Sequence, residues 1–217
     1  MNRHKIVLTI IALLLVASGA KAQSLLPEVQ ATYDACLSLQ TAINTGSNSE
    51  LRAANKMLKE SNPKDFSSLR IVGDEQLSLD GHFVFDYEFV DSLIVNREVF
   101  KFAQRYAERA SERSTSSTSG DVFTKTCMVK GKSSTKFTFA SRGRQELAFV
   151  AEPGGMITVR VHNLSYDTWY KDPDKENKGK PSRILVFDLP TDKWSSIEVE
   201  VINKAKKDVS FVVIKNL

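Results

Sequence analysis

The stretch "HFVFDYEFVD", residues 82–91, sets three ionisable side chains, His82, Asp86 and Glu88, at alternating positions. Read as a strand, it puts them on one face, opposite Phe83, Phe85, Tyr87 and Phe89. Four strand residues would separate His82 from Asp86 by about 13 Å, too far for both to ligate one metal ion. Asp86 and Glu88 would stand about 6–7 Å apart, a spacing at which two carboxylates can flank a glycosidic bond. The solvated face of a half-buried sheet accounts for the same residues without chemistry, and that reading is favoured.

A second group lies in "NLSYDTWYKDPDKENKGKPSR", residues 163–183, where Tyr166, Trp169 and Tyr170 precede an acidic run. Connections this long tend to be functional or disordered. Aromatic faces beside polar groups suit stacking on a sugar or anchoring a protein partner, whereas the bland reading has the rings closing one end of a core. Asp172, Asp174 and Glu176 imitate the start of a calcium loop. The glycine needed at the sixth position is Asn177, however, and the bidentate glutamate needed at the twelfth is Arg183. An irregular surface calcium site and plain solvated charge both remain open, and no other cofactor is called for. Beyond residues 1–22 there are two histidines, His82 and His162, and neither sits in a nucleophile motif. Walker, zinc and dinucleotide signatures are also missing.

The residues that must position these groups divide into segments. "MNRHKIVLTIIALLLVASGAKA", residues 1–22, reads as a secretory signal: a positive start, a short apolar core and an A-x-A end. The chain has 30 Lys and Arg against 26 Asp and Glu; three of the basic residues and none of the acids fall in that segment. Residues 23–217 therefore carry about +1, without a basic stripe, which argues against nucleic acid as a partner. The apolar run is too short to span a bilayer comfortably, so no membrane span is expected after cleavage. The expected location is periplasmic or secreted.

Residues 23–113 form an N-terminal α+β region. Pro27 opens a helix with Val29, Tyr33, Cys36, Leu37 and Ile43 at helical spacing up to Gly46. A capping box, Ser47-x-x-Glu50, starts a second helix with Leu51, Ala54, Met57 and Leu58 on its stripe, and Pro63 ends it. Asp80-Gly81 predicts a β-hairpin, and residues 97–112 predict a third helix. Residues 114–121 read as a Ser/Thr-rich linker. From Val122 to Leu217, about seven short alternating runs with turn signals between them predict an antiparallel β-sandwich. Pro153-Gly154-Gly155 is a turn between two of these strands, after which Ile157, Val159 and Val161 face the core. Cys36 and Cys127 leave two readings open in an oxidising compartment: a disulfide tying the helices to the sheet, or two separate buried thiols.

The runs "TKFTFASRGRQELAFVAEPGGMITVRVHN" and "VEVINKAKKDVSFVVIKN" resemble the small β-sandwich modules of secreted bacterial proteins, of the pre-peptidase C-terminal and galactose-binding-like jelly-roll types. The resemblance covers under half the chain and implies binding of glycans, proteins or calcium. The whole chain also resembles uncharacterised exported proteins of the Bacteroidetes. In that setting Asp91-Ser92-Leu93 matches a loose O-glycosylation pattern at Ser92, with chance the simpler account. Asn163-Leu164-Ser165 matches an N-glycosylation sequon, which means something only in a host with the machinery.

The expected fold class is thus α+β: an N-terminal helical hairpin, β-hairpin and helix, followed by a jelly-roll-like antiparallel sandwich. The expected function is non-enzymatic binding of a glycan or an envelope protein through Tyr166, Trp169 and Tyr170. The alternatives are an envelope glycan hydrolase using Asp86 and Glu88, and a structural envelope protein whose helices make the contacts.

Overall fold

A computed structural model describes residues 25–72, 79, 82–95, 122–170 and 179–216. The segments read as signal peptide, Asp80-Gly81 turn, 97–112 helix and 114–121 linker lie outside the described residues, as do Asp172, Asp174 and Glu176. The chain is α+β, with three described helices and two five-stranded sheets.

The helical hairpin forms as its local signals require. Helix α1, Pro27–Thr45, has proline in its first turn and ends at Gly46, whose φ of 66° is a left-handed conformation that glycine adopts freely. The Gly46 and Ser47 amides close the end on the Ile43 and Ala42 carbonyls. Helix α2, Asn48–Ser61, is capped by Ser47 Oγ, which accepts from the Glu50 amide at 3.3 Å. The second half of the expected capping box is not made, because the Ser47 amide is already used; the Glu50 carboxylate takes the Thr45 hydroxyl instead. On α2, Leu51, Ala54, Asn55 and Leu58 are buried, while Met57 faces solvent.

Residues 82–91 depart from the strand expectation. Phe83 to Asp86 are irregular, and Tyr87–Val95 form helix α3. Asp86 Oδ1 accepts from the Glu88 and Phe89 amides at 2.8 and 3.0 Å, the bonding of an N-cap, and Val90 and Leu93 are buried. Competition between periods decided this: residues 82–89 alternate, but Phe89, Val90, Leu93 and Ile94 repeat at helical spacing.

The remaining elements are strands β1 (Lys64–Asp65), β2 (Arg70–Val72), β3 (Val122–Val129), β4 (Ser133–Ser141), β5 (Arg144–Ala151), β6 (Thr158–Asn163), β7 (Thr168–Tyr170), β8 (Ser182–Asp188), β9 (Ser195–Asn203) and β10 (Val209–Asn216). Sheet A has the order β1-β3-β10-β5-β8 and sheet B the order β2-β4-β9-β6-β7. Without β1 and β2, this is the strand order of a jelly roll. Consecutive strands from β3 onward change sheet at every connection except the β6–β7 hairpin. Pro153-Gly154-Gly155 is one of these crossings: Gly154 has φ 74°, and a Cβ on Gly155 would stand 2.8 Å from a Val209 methyl carbon.

Two apolar clusters hold the chain together. One fills the space between the sheets, with Phe137, Phe149, Ile197, Val199, Phe211 and Val213. The other joins the helices to the outer face of sheet A, setting Val29, Leu39, Leu51, Leu58 and Phe83 against Ala148, Val150, Val212 and Ile214. Three polar contacts fix this docking: Leu26 N to Glu146 Oε2 at 2.6 Å, Tyr33 OH to Ser182 Oγ at 3.0 Å, and Gln40 Nε2 to Ala151 O at 2.6 Å.

Candidate functional site

The helix at 87–95 removes the carboxylate pair. Asp86 is a helix cap and Glu88 lies in the first turn, so the face-to-face strand geometry required of a glycosidase pair is absent at these residues. His82 finds a different carboxylate. Its Nδ1 lies 3.1 Å from Glu152 Oε2, and the same oxygen accepts from Phe83 N at 3.3 Å and Ser210 Oγ at 2.9 Å. The Glu152 hydrogen bond raises the His82 pKa above its ordinary value, against the opposing effect of burial. Serine, carboxylate and histidine meet here in the wrong order for nucleophilic catalysis. The Ser210 hydroxyl shares its one proton between Glu152 and Phe83 O, and the carboxylate separates it from the imidazole. The cluster pins the chain at residues 82–83 to strands β5 and β10.

The aromatic trio divides between two surfaces. Part of the expected loop is strand, because Thr168–Tyr170 pair with β6: Val161 opposite Tyr170, His162 opposite Trp169. Strand alternation turns Tyr170 inward, where its ring stacks on Phe187 at 4.2 Å and its hydroxyl accepts from Asn163 Nδ2. Trp169 points outward, 50% exposed, and its indole lies parallel to His162 at 4.3 Å and 1°. Asp167, held left-handed at φ 49°, fixes the imidazole with Oδ1 at 2.9 Å from Nε2. Tyr166 is exposed in the turn before β7. The sequon residue Asn163 is buried and its side chain bonds Tyr170 and Ser165, so the folded chain offers no amide there for modification.

A further group was missed by sequence reasoning. At the end of the sandwich where β4 turns into β5 and β8 leads into β9, a cleft of about 940 Å³ opens between the sheets. Lys215 forms part of its lining, just 5% exposed, with Nζ 5.6 and 6.0 Å from the ring centroids of Phe139 and Phe66. Burial pulls its pKa down to about 8. Its hydrogen bond goes to the carbonyl of Asn216 at 2.7 Å, and no carboxylate pairs with it among the described residues. Phe66 stacks on Phe123 at 5.7 Å, and Arg142 lies 5.0 Å from the Trp194 ring. The signal was present in "VSFVVIKN": strand alternation puts Lys215 on the inward face of Phe211 and Val213.

Cys36 and Cys127 are both free and buried, and this corrects the disulfide alternative. Cys36 packs between the helices and the outer face of sheet A, while Cys127 faces the inter-sheet core, so the sheet itself separates them. Burial pushes both thiols up, Cys127 to about 12, which keeps them protonated. Ser92 is exposed on α3 with its hydroxyl bonded to Phe89 O at 2.7 Å. Among the described residues no group of three His, Cys, Asp or Glu side chains is placed to hold a metal ion, and no helix is long and apolar enough to cross a membrane.

No protein-family model matches the chain, and no curated protein matches it significantly. Among solved structures it is similar to Salmonella Typhimurium PliG, a periplasmic inhibitor of g-type lysozyme, at 14% identity and a TM-score of 0.30, covering 48% of this chain and 93% of that one. It is also similar to the enzymatically active domain of tailspike protein 4 of bacteriophage CBA120, at 15% identity and a TM-score of 0.28, over 44% of this chain and 17% of that one. A third is the plu4264 protein of Photorhabdus luminescens, at 22% identity and a TM-score of 0.25, over 45% and 64% of the two chains. At these scores the likenesses carry no argument about function.

Proposed function

We propose that this chain is an exported, non-enzymatic binding protein that holds carbohydrate on the outer face of sheet B, beside the β6–β7 hairpin. The observation that carries the reading is the Trp169–His162 stack. One indole face is occupied by an imidazole that Asp167 fixes in place, which leaves the other face flat, oriented and open to solvent. The C–H face of a sugar ring fits such a surface, and little side-chain freedom is lost on binding. Around it, β6 and β9 set Arg160 opposite Glu200 and His162 opposite Glu198, which supply donors and acceptors for hydroxyl groups.

An envelope protein is the other partner class. The cores of protein interfaces are depleted of charge, so the charged neighbours of Trp169 favour sugar. The apolar faces of the helices are taken up by sheet A, which weighs against contacts made through them. The test is calorimetric titration of residues 23–217 with soluble neutral oligosaccharides and peptidoglycan fragments. Trp169→Ala should weaken binding at least tenfold while the melting temperature stays within about 4 °C, the shift that roughly 1 kcal/mol produces in a chain of this size. Unchanged affinity in the variant, or no binding of any of these glycans, would reject the reading.

A further inference from the structure

The geometry points to a second ligand site: the cleft at the β4–β5 and β8–β9 end of the sandwich is built to hold a small, ring-bearing carboxylate, with its acid group against Lys215 and its ring among Phe66, Phe139 and Trp194. This goes beyond the carbohydrate reading and stands without it. The cleft borders β2 and β4, whereas Trp169 is on β7 at the opposite edge of sheet B, three to four strand spacings or about 14–19 Å away.

Charge is the first argument. Lys215, Arg70 and Arg142 line the cleft, and among the described residues no Asp or Glu does. On sheet B outside the cleft, Lys136 and Arg160 have acids beside them: Lys136 lies 2.9 Å from Glu198 and Arg160 3.7 Å from Glu200. A buried ammonium without a counter-charge is costly and is retained where something offsets it. The second argument is donor accounting. An ammonium has three N–H donors, and one is used on Asn216 O. Two remain for the oxygens of an incoming carboxylate.

The third argument concerns the body of the ligand. Phe66 and Phe139, packed at 5.5 Å and 58°, and the 64% exposed Trp194 give the cleft aromatic surface, and its volume is that of a small-molecule site. Of the three cations only Lys215 is buried, and a single negative charge neutralises it, whereas Arg70 and Arg142 are exposed and a phosphate dianion would carry its second charge into the buried place. The shared chemistry is therefore a ring carrying one carboxylate, and an aromatic acid and a sugar acid are its two sources.

The experiment is calorimetric titration of residues 23–217 with benzoate and glucuronate, each beside its neutral counterpart, benzamide and glucose, and with inorganic phosphate. At least one acid should bind, and at least tenfold tighter than its neutral counterpart; which one binds assigns the source. Lys215→Met should weaken that binding tenfold or more. Arg142→Gln, an exposed change that cannot threaten the core, should weaken it severalfold, and Trp169→Ala should leave it unchanged. The site is overturned if neither acid binds at millimolar concentration, if in Trp169→Ala, which removes sugar binding on sheet B, the neutral compounds or phosphate bind as tightly as the acid, or if affinity survives both cleft variants. Loss of the acid in Trp169→Ala would overturn it as a separate site.

Discussion

Sheets A and B each have five strands and close on one inter-sheet core, yet their outer faces have opposite fates. The helices cover sheet A, and every described residue of β10 is buried, as are seven of eight in β5. Among the described residues no helix lies over sheet B, and β9 alternates buried Ile197, Val199 and Val201 with the more open Glu198, Glu200 and Ile202. A face under helices is committed to stability, since each position there meets another apolar group. A bare face keeps its side chains available, and Trp169, Arg160 and the rim of the Lys215 cleft are all found with sheet B. Both binding sites proposed above draw on the side that the described helices leave open.

The largest expected effect tests the covered side. Val212→Asp would set an unpaired charge under α1 and should cost more than about 4 kcal/mol in denaturant unfolding, whereas Ser196→Asp on the bare face should stay within about 0.5 kcal/mol. Equal costs would mean that the helices do not shield sheet A. Next comes the pin that fastens residues 82–83. Glu152→Ala should cost about 3–5 kcal/mol by leaving buried partners unmatched. Because the His82 pKa is raised in the folded chain, its contribution is complete below its ordinary 6.5 and is lost as pH climbs through the raised value. Stability of the native sequence should therefore fall across that range relative to His82→Gln, and parallel pH profiles would remove the ion pair.

The smallest of the three concerns Lys215, whose amine titrates near 8 folded and near 10.5 unfolded. Between those values the unfolded chain holds the extra proton, so this residue's contribution to stability rises with pH. The buried thiols act in the opposite direction above about pH 9, and the measurement is thus a difference against Lys215→Met. Any stability advantage of the methionine variant should shrink by about 3 kcal/mol from pH 8 to pH 10.5. A constant difference would show that the amine is solvated.

Most of the fold was legible because its signals are local. The left-handed Gly46, the Ser47 cap, Pro27 and the strand-length alternations each act over a few residues, and each is found where the residues put it. The stretch from 82 to 91 carries two periods at once, and the helix won through contacts of Val90 and Leu93 that no local pattern records. The runs "ELAFVA" and "SFVVI" read as two of the alternating strands, whereas the structure buries both faces of β5 and β10, because the helices cover the outer face of sheet A. The candidate sites were harder to read. Trp169 was visible as an aromatic in a polar run, but its separation from Tyr170 depended on β7 pairing with β6. Lys215 meets Phe66 across 149 positions of chain, a distance over which only the closed sandwich brings them together.

The short segment from Lys64 to Val72 has a mechanical meaning. It gives β1 to sheet A, beside β3, and then β2 to sheet B, beside β4, with the Phe66 ring wedged between Phe123 and Phe139. One strip of backbone thus binds the two leaves along the same margin, like the spine of a book. The opposite margin is fastened as well, by side chains: the Tyr170 ring of β7 stacks on Phe187 of β8 at 4.2 Å. A molecule entering the cleft would come in from the head of the volume, past Arg142 and Trp194, with the binding intact.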